Sequence, residues 1–195
     1  FREKRYDLLV GTQMIAKGLD LPLVTLVGVV SADVGLGLPD YRAAERTFQL
    51  LTQVAGRAGR GLLGGRVVLQ TYQPEHYAIQ AAAQHDYASF YNREIEYRKD
   101  LGLPPFRRVL RLLYRHTDPG RAEAEAGVVA AQLRLRLKDE SFPNTDLAGP
   151  APCFFGKLAG EHRWQIIVRG PDPAALARGL ALKGWTVDMD ALSTL

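Results

Sequence analysis

The sequence predicts an α/β protein in two parts, an alternating strand–helix unit over residues 1–103 and a small α+β domain over residues 104–195. Three observations carry that expectation. Short Val- and Leu-rich runs, separated by helical periodicity, suit strands of a parallel sheet buried on both faces. The segment Leu103-Pro104-Pro105-Phe106 cannot continue a helix, because proline lacks the amide donor and restricts the residue before it. Beyond that segment the apolar residues repeat with a period of two, the mark of a strand with one covered face.

In the first part, Asp7-Leu8-Leu9-Val10, residues 24–30 and residues 66–72 read as strands. Residues 41–55 place Tyr41, Ala44, Phe48, Leu51 and Ala55 on one helical face at spacings of three and four. Residues 76–100 read as helical, anchored by Tyr87, Phe90 and Tyr91, with Gly102 as the C-terminal cap. In the second part the expected order is strand, long helix, strand, strand, helix, strand, with the helices on one sheet face. Residues 107–116 alternate Leu110, Leu112 and Tyr114 with Arg107, Arg111 and Arg115. Asp118-Pro119 starts a helix that runs to about Lys138, acidic at its start and basic at its end as the helix dipole favours. A strand at 163–169, a short helix at 173–182 and a strand at 185–190 complete the pattern.

Apolar residues make up 47% of the 195 and charged residues 24%, enough for packed cores. No apolar run approaches the ~20 residues needed to span a bilayer. Residues 1–6 are charged and lead into a strand-like run, so no signal peptide is expected and the chain reads as cut from a longer one. Cys153 is the single cysteine, which excludes an internal disulfide and a cysteine-rich zinc site within this sequence. A cytoplasmic setting is expected. The net charge of +4 is compatible with a polyanionic partner, and ordinary solvated arginines account for it equally well.

Two segments carry chemistry. Gln53-Val54-Ala55-Gly56-Arg57-Ala58-Gly59-Arg60 follows an amphipathic helix. Its two arginines, separated by glycine, form a cationic fork of the kind that stabilises negative charge on a transferring phosphoryl group. Taken alone, a Gly/Arg surface turn is the plainer reading. Gly11-Thr12-Gln13-Met14-Ile15-Ala16-Lys17-Gly18-Leu19-Asp20 follows the first strand. A threonine there can hydrogen-bond a nucleic-acid phosphate, and an acidic loop residue can accept from a ribose hydroxyl. Taken alone, this is a plain α/β connection.

In this order the two segments resemble motifs V and VI of superfamily 2 helicases, and more narrowly the PriA family of primosomal replication-restart helicases. The resemblance extends to Asp40-Tyr41-Arg42-Ala43-Ala44-Glu45-Arg46, Val68-Leu69-Gln70-Thr71, Pro74-Glu75-His76, the Pro-Pro linker, Gly149-Pro150-Ala151-Pro152, Arg163-Trp164-Gln165-Ile166 and the ending Trp185 to Asp190. It implies a partial RecA-like helicase lobe followed by a small α+β C-terminal domain. It also implies that Arg60 is an arginine finger, Arg57 a second γ-phosphate contact and Gln53 a coupling residue. Gly18 and Asp20 match the nucleotide side of motif V, and Thr12 and Gln13 its DNA-backbone side. ATP and Mg2+ are then the cofactors of the full-length parent, bound on an upstream lobe, and the family's zinc-binding cysteines also lie upstream.

The implied partners are branched or single-stranded DNA, primosome proteins and single-stranded-DNA-binding protein. Some family members hold the acidic tail of that last protein with a basic residue just past the Trp-Gln-Ile strand, a place taken here by Arg169. The family's Asp-Val-Asp-Pro ending is Asp188-Met189-Asp190-Ala191 here. No phosphate-binding loop with its lysine and no Asp-Glu-x-His motif occurs in the sequence, so the chain alone is expected to be inactive.

Two functions fit. One is part of an ATP-dependent 3′-to-5′ DNA helicase that serves replication restart and primosome assembly at stalled forks. The other is a non-catalytic DNA-fork and protein-binding platform whose motor is inactive. For the second part of the chain, Arg111 and Arg163 are the expected DNA-binding residues. They sit, with Arg107, Arg115 and Arg169, on an open sheet face opposite the core.

Overall fold

The structure is a computed structural model that describes residues 5–12, 24–58 and 65–191. It divides into two compact units, Phe1–Leu38 with Arg42–Glu94, and Pro39–Tyr41 with Ile95–Leu195.

In the first unit, strands β1 (Leu26–Val29) and β2 (Arg66–Leu69) pair in parallel, Leu26 opposite Arg66 and Val29 opposite Leu69. Helix α1 (Asp33–Leu36) follows β1, and α2 (Ala43–Ala58), α3 (Tyr77–Ala83) and the first half of α4 (Tyr87–Asp100) complete the unit. The apolar stripe of α2 buries Phe48, Leu51 and Val54. The stripe packs on Ala78, Ile79, Ala81 and Ala82 of α3 and on Phe90 of α4. The rings of Phe48 and Phe90 lie stacked, with centroids 4.2 Å apart. The Asp33 carboxylate accepts from Thr71 Oγ1 at 2.7 Å and from the Tyr72 amide at 3.0 Å, joining the start of α1 to the end of β2.

Four expectations need correction here. The strands are not buried on both faces: Leu26 and Val68 are exposed, because among the described residues the two-stranded sheet has helices against one side. Residues 7–10 form no strand, and Leu8 and Val10 are exposed. The helix expected over 76–100 is two helices. The break falls at His85, whose φ is 55°, and Asp86 restarts the helix by accepting from the Ser89 amide and hydroxyl. Of the three aromatic anchors only Phe90 is buried. It shares a face with Glu94, whereas Tyr87 and Tyr91 lie one turn apart on the exposed face.

Helix α4 ends as expected at Gly102, whose φ of +57° lets the Leu103 amide reach Arg98 O at 2.8 Å and its own amide reach Lys99 O at 3.1 Å. The two units divide within α4, ahead of the Pro-Pro segment.

In the second unit, β3 (Arg108–His116), α5 (Pro119–Arg136), β4 (Asp146–Leu158), β5 (Glu161–Gly170), α6 (Pro173–Ala177) and β6 (Trp185–Met189) follow the order βαββαβ. The antiparallel sheet runs β4-β5-β3-β6, the split-βαβ arrangement. Both helices lie on one face. Leu110 and Leu112 of β3 and Ile166 and Val168 of β5 form the expected inward rows, packed on Ala126, Val129, Ala130 and Leu133 of α5 and Leu176 of α6. Asp118 caps α5 by accepting from the Arg121 amide at 2.8 Å, with Pro119 in the first turn. At the other end Arg136 Nη1 donates to Leu176 O at 2.9 Å and Arg178 O at 2.6 Å, fastening α5 to α6. Helix α6 ends at Ala177, short of the expected 182.

Just beyond β6, Asp190 closes the unit. Its Oδ2 accepts from Arg108 Nη2 at 2.6 Å and Nε at 3.0 Å, and its Oδ1 from the Val109 amide at 3.3 Å. The Arg108 hydrogen bond holds the Asp190 carboxyl below its ordinary pKa. A depressed carboxylate contributes stability above its unfolded-state pKa and loses it as pH falls through the lower folded value. Asp190→Asn should therefore lower Tm at neutral pH, and the gap to the native protein should close on acidification. Thermal melts from neutral to acid pH test this, and a gap that stays constant throughout contradicts it.

Candidate functional site

The first site gathers around the end of α2. Helical backbone continues through Gln53, Gly56 and Arg57 to Ala58, so Gln53 to Ala58 do not follow the helix; they are part of it. Gln53 is exposed while Val54 beside it is buried, so the side facing away from Phe48 and Leu51 is the side that presents Gln53. Position 57 comes one turn after Gln53 on the same helical face. A Cβ added at Gly56 would meet nothing within 4 Å, so this glycine is not required by packing among the described residues.

Arg60, Gln13, Gly18 and Asp20 lie outside the described residues, as does the side chain of Arg57. Thr12 is exposed in an irregular segment ahead of β1.

The second site is the face of the four-stranded sheet away from α5 and α6. The expected proximity holds: β3 and β5 pair directly, with Arg115 opposite Arg163, Arg111 opposite Ile167 and Val109 opposite Arg169. The face is not open, however. Arg111 and Arg163 are only 7% and 8% exposed. Groups from the irregular part of the edge strand β4 reach both of them. Its pairing with β5 passes from Pro152 opposite Trp164 to Lys157 opposite His162, so residues 153–156 bulge out across from Arg163.

Inside the bulge Cys153 turns inward, its Sγ 3.8 Å from Arg111 Nη2. Arg111 Nε donates to Gln165 Oε1 at 2.9 Å, and Arg163 Nη1 donates to Phe155 O at 3.4 Å. Arg107 and Arg169 both pair with Asp146, at 3.1 and 2.8 Å. Of the five arginines only Arg115 stays exposed. Burial of an arginine is uncommon unless it is paired, which is why alternation alone missed it. The roles of Asp146, Asp190 and Gln165 were also missed: Asp146 stands opposite Arg169, Gln165 stands opposite Leu113 and so diagonal to Arg111, and Asp190 follows the last paired residue of β6, relations that only the strand pairing reveals.

No helix among the described residues is long and apolar enough to cross a membrane. Among the same residues no group of three His, Cys, Asp or Glu side chains is placed to hold a metal ion.

Comparison with known proteins gives these sites a class. Residues 1–61 match the family described as the helicase conserved C-terminal domain, and residues 99–191 match the primosomal protein N C-terminal domain. The first part is thus a RecA-like helicase lobe in part, carrying a small appended α+β domain. Replication restart protein PriA of Bacillus subtilis (strain 168) is 44% identical over 169 residues, 87% of this chain and 20% of that protein. Those of Treponema pallidum (strain Nichols) and a Synechocystis strain are 43% and 44% identical, over 88% of this chain and 25% and 20% of their own lengths. The chain belongs to the PriA family, and it spans a fifth to a quarter of the curated relatives it matches.

The buried arginines are structural before they are anything else. Arg111→Glu should destabilise the second unit, because it leaves Gln165 and the Cys153 bulge without their donor and buries an acid in its place. A cost on the order of 1–3 kcal/mol is expected for the lost hydrogen bonds alone. Chemical denaturation of the native and variant chains measures it, and an unchanged midpoint would show that the bulge does not depend on Arg111.

Proposed function

We propose that this chain forms the second-lobe and C-terminal part of an ATP-dependent 3′-to-5′ DNA helicase that serves replication restart and primosome assembly at stalled forks. The observation that carries the reading is the placement of Gln53 to Arg57 within α2. Phe48, Leu51 and Val54 lock the inner face of that helix, and Gln53 stands exposed on the outer one. A helix end fixed by its core and bare on its outer side fits a group that approaches from another lobe.

In this reading ATP with Mg2+, bound upstream, supplies the phosphoryl group. Arg60 acts as the arginine finger, Arg57 meets the γ-phosphate and Gln53 couples the lobes. Gly18 and Asp20 lie beside the nucleotide, and Thr12 and Gln13 hold the DNA backbone. The DNA partner is branched or single-stranded and also crosses the outer face of the second unit. Since Arg111 and Arg163 are buried, phosphate contact there falls to exposed cations such as Arg115. An acidic protein tail drawn to Arg169, such as that of single-stranded-DNA-binding protein, has to displace Asp146, its present ion-pair partner at 2.8 Å.

Two measurements test the motor assignment. In the full-length parent, Arg60→Ala should lower kcat for ATP hydrolysis about 10³-fold or more while ATP affinity changes far less. Normal turnover in that variant would overturn the role given to Arg60. The chain by itself should show no DNA-stimulated ATP hydrolysis, because its sequence contains no phosphate-binding loop; measurable hydrolysis by a clean preparation would mean the nucleotide pocket has been misplaced.

A further inference from the structure

The β4 bulge displays two aromatic rings that neither the core nor the motor accounts for. Phe154 and Phe155 are 53% and 52% exposed, with centroids 5.0 Å apart and planes at 81°. The ring that presents its edge in such a pair keeps its own faces clear of its partner. The rings ride on a clamped loop: Cys153 is turned in against Arg111, and the Phe155 carbonyl accepts from Arg163. Both clamping arginines are buried. Beside the bulge stand the exposed cations Arg115, opposite Arg163 in the register, and Lys157, the first residue past it.

We propose that Phe154 and Phe155 are a stacking platform for an unpaired base of a DNA strand, with Arg115 and Lys157 meeting the phosphates on either side of that base. Rings offered within a cationic rim suit a ligand that has a planar π face and an anionic backbone. Single-stranded nucleic acid has both, and base–aromatic stacking beside backbone-tracking cations is the sequence-tolerant way to bind it. A purely apolar protein partner has no use for the cations. Clamping the bulge from beneath fixes the rings before the strand arrives, so little ordering is left for binding to do. The proposal rests on the reading of this sheet face as part of the DNA path.

The test uses the full-length parent and forked DNA carrying 2-aminopurine at each unpaired position in turn. One position should change its emission on binding. Phe154→Ala with Phe155→Ala should abolish that change and weaken binding to the unpaired strand about tenfold, as loss of a stacked base does. The double leucine variant, Phe154→Leu with Phe155→Leu, should lose as much, because it keeps the apolar bulk and removes the π faces. Both pairs are exposed and should melt like the native protein.

A leucine variant with native signal and affinity would mean apolar docking and would overturn the proposal, as would a fork in which no position responds. Arg115→Ala with Lys157→Ala separates the two levels of the argument. If it lowers affinity and the salt dependence while the phenylalanine variants bind normally, the DNA path stands and the stacking falls. If neither pair of substitutions matters, both fall.

Discussion

The antiparallel pairing of β3 with β5 is the constraint on which the rest of the second unit depends. Its register runs without a break from Arg108 opposite Gly170 to His116 opposite His162. Because side chains alternate across a strand, that single register assigns every residue of both strands to a face. Leu110, Leu112, Ile166 and Val168 go to the helices, and Arg111, Arg115, Arg163, Gln165 and Arg169 go to the other side. A slip of one residue would bury arginines under α5 and expose the core. The apolar rows therefore enforce the register, and the polar face inherits its geometry from them.

What the sequence disclosed follows from periodicity and from punctuation. The apolar stripe of α2, the inward rows of β3 and β5, Asp118-Pro119 as a helix start and Gly102 as a helix stop all act over a few neighbouring residues. They were legible for that reason. The break at His85 was not, since no glycine or proline marks it; it depends on a left-handed backbone and on a cap from Asp86 that any Asp near a Ser offers on paper. Nor was the bulge legible. Cys153-Phe154-Phe155-Gly156 has no alternation to show that these four positions answer to one residue of β5, and only the pairing on either side reveals it.

The same bulge explains why the arginine face was misjudged. Alternation put Arg111 and Arg163 on the side away from the core, which is where they are. It could not show that the bulge of the edge strand β4 supplies them with a carbonyl and a sulfur as partners. Motor residues were legible in another way. Gln53 to Arg60 and Thr12 to Asp20 were recognised by order and residue type, which carry the family resemblance. Of these, the described residues give a position and an exposure to Thr12 and Gln53.

A division of labour among the arginines follows from their environments. Arg108, Arg107 and Arg169 each meet an aspartate across strands at partly exposed positions, where ion pairs contribute little and exchange readily. Arg111 and Arg163 are buried, and their partners include the neutral acceptors Gln165 Oε1 and Phe155 O. Removing a buried donor costs more than removing an exposed one, because its acceptors are stranded away from water. The buried pair consequently holds the bulge from beneath, through the Cys153 sulfur and the Phe155 carbonyl, while Arg115 and Lys157 beside it stay exposed. A ligand arriving at this face meets a surface whose shape is set from below, and whose exposed cations, Arg115 and Lys157, flank that fixed bulge.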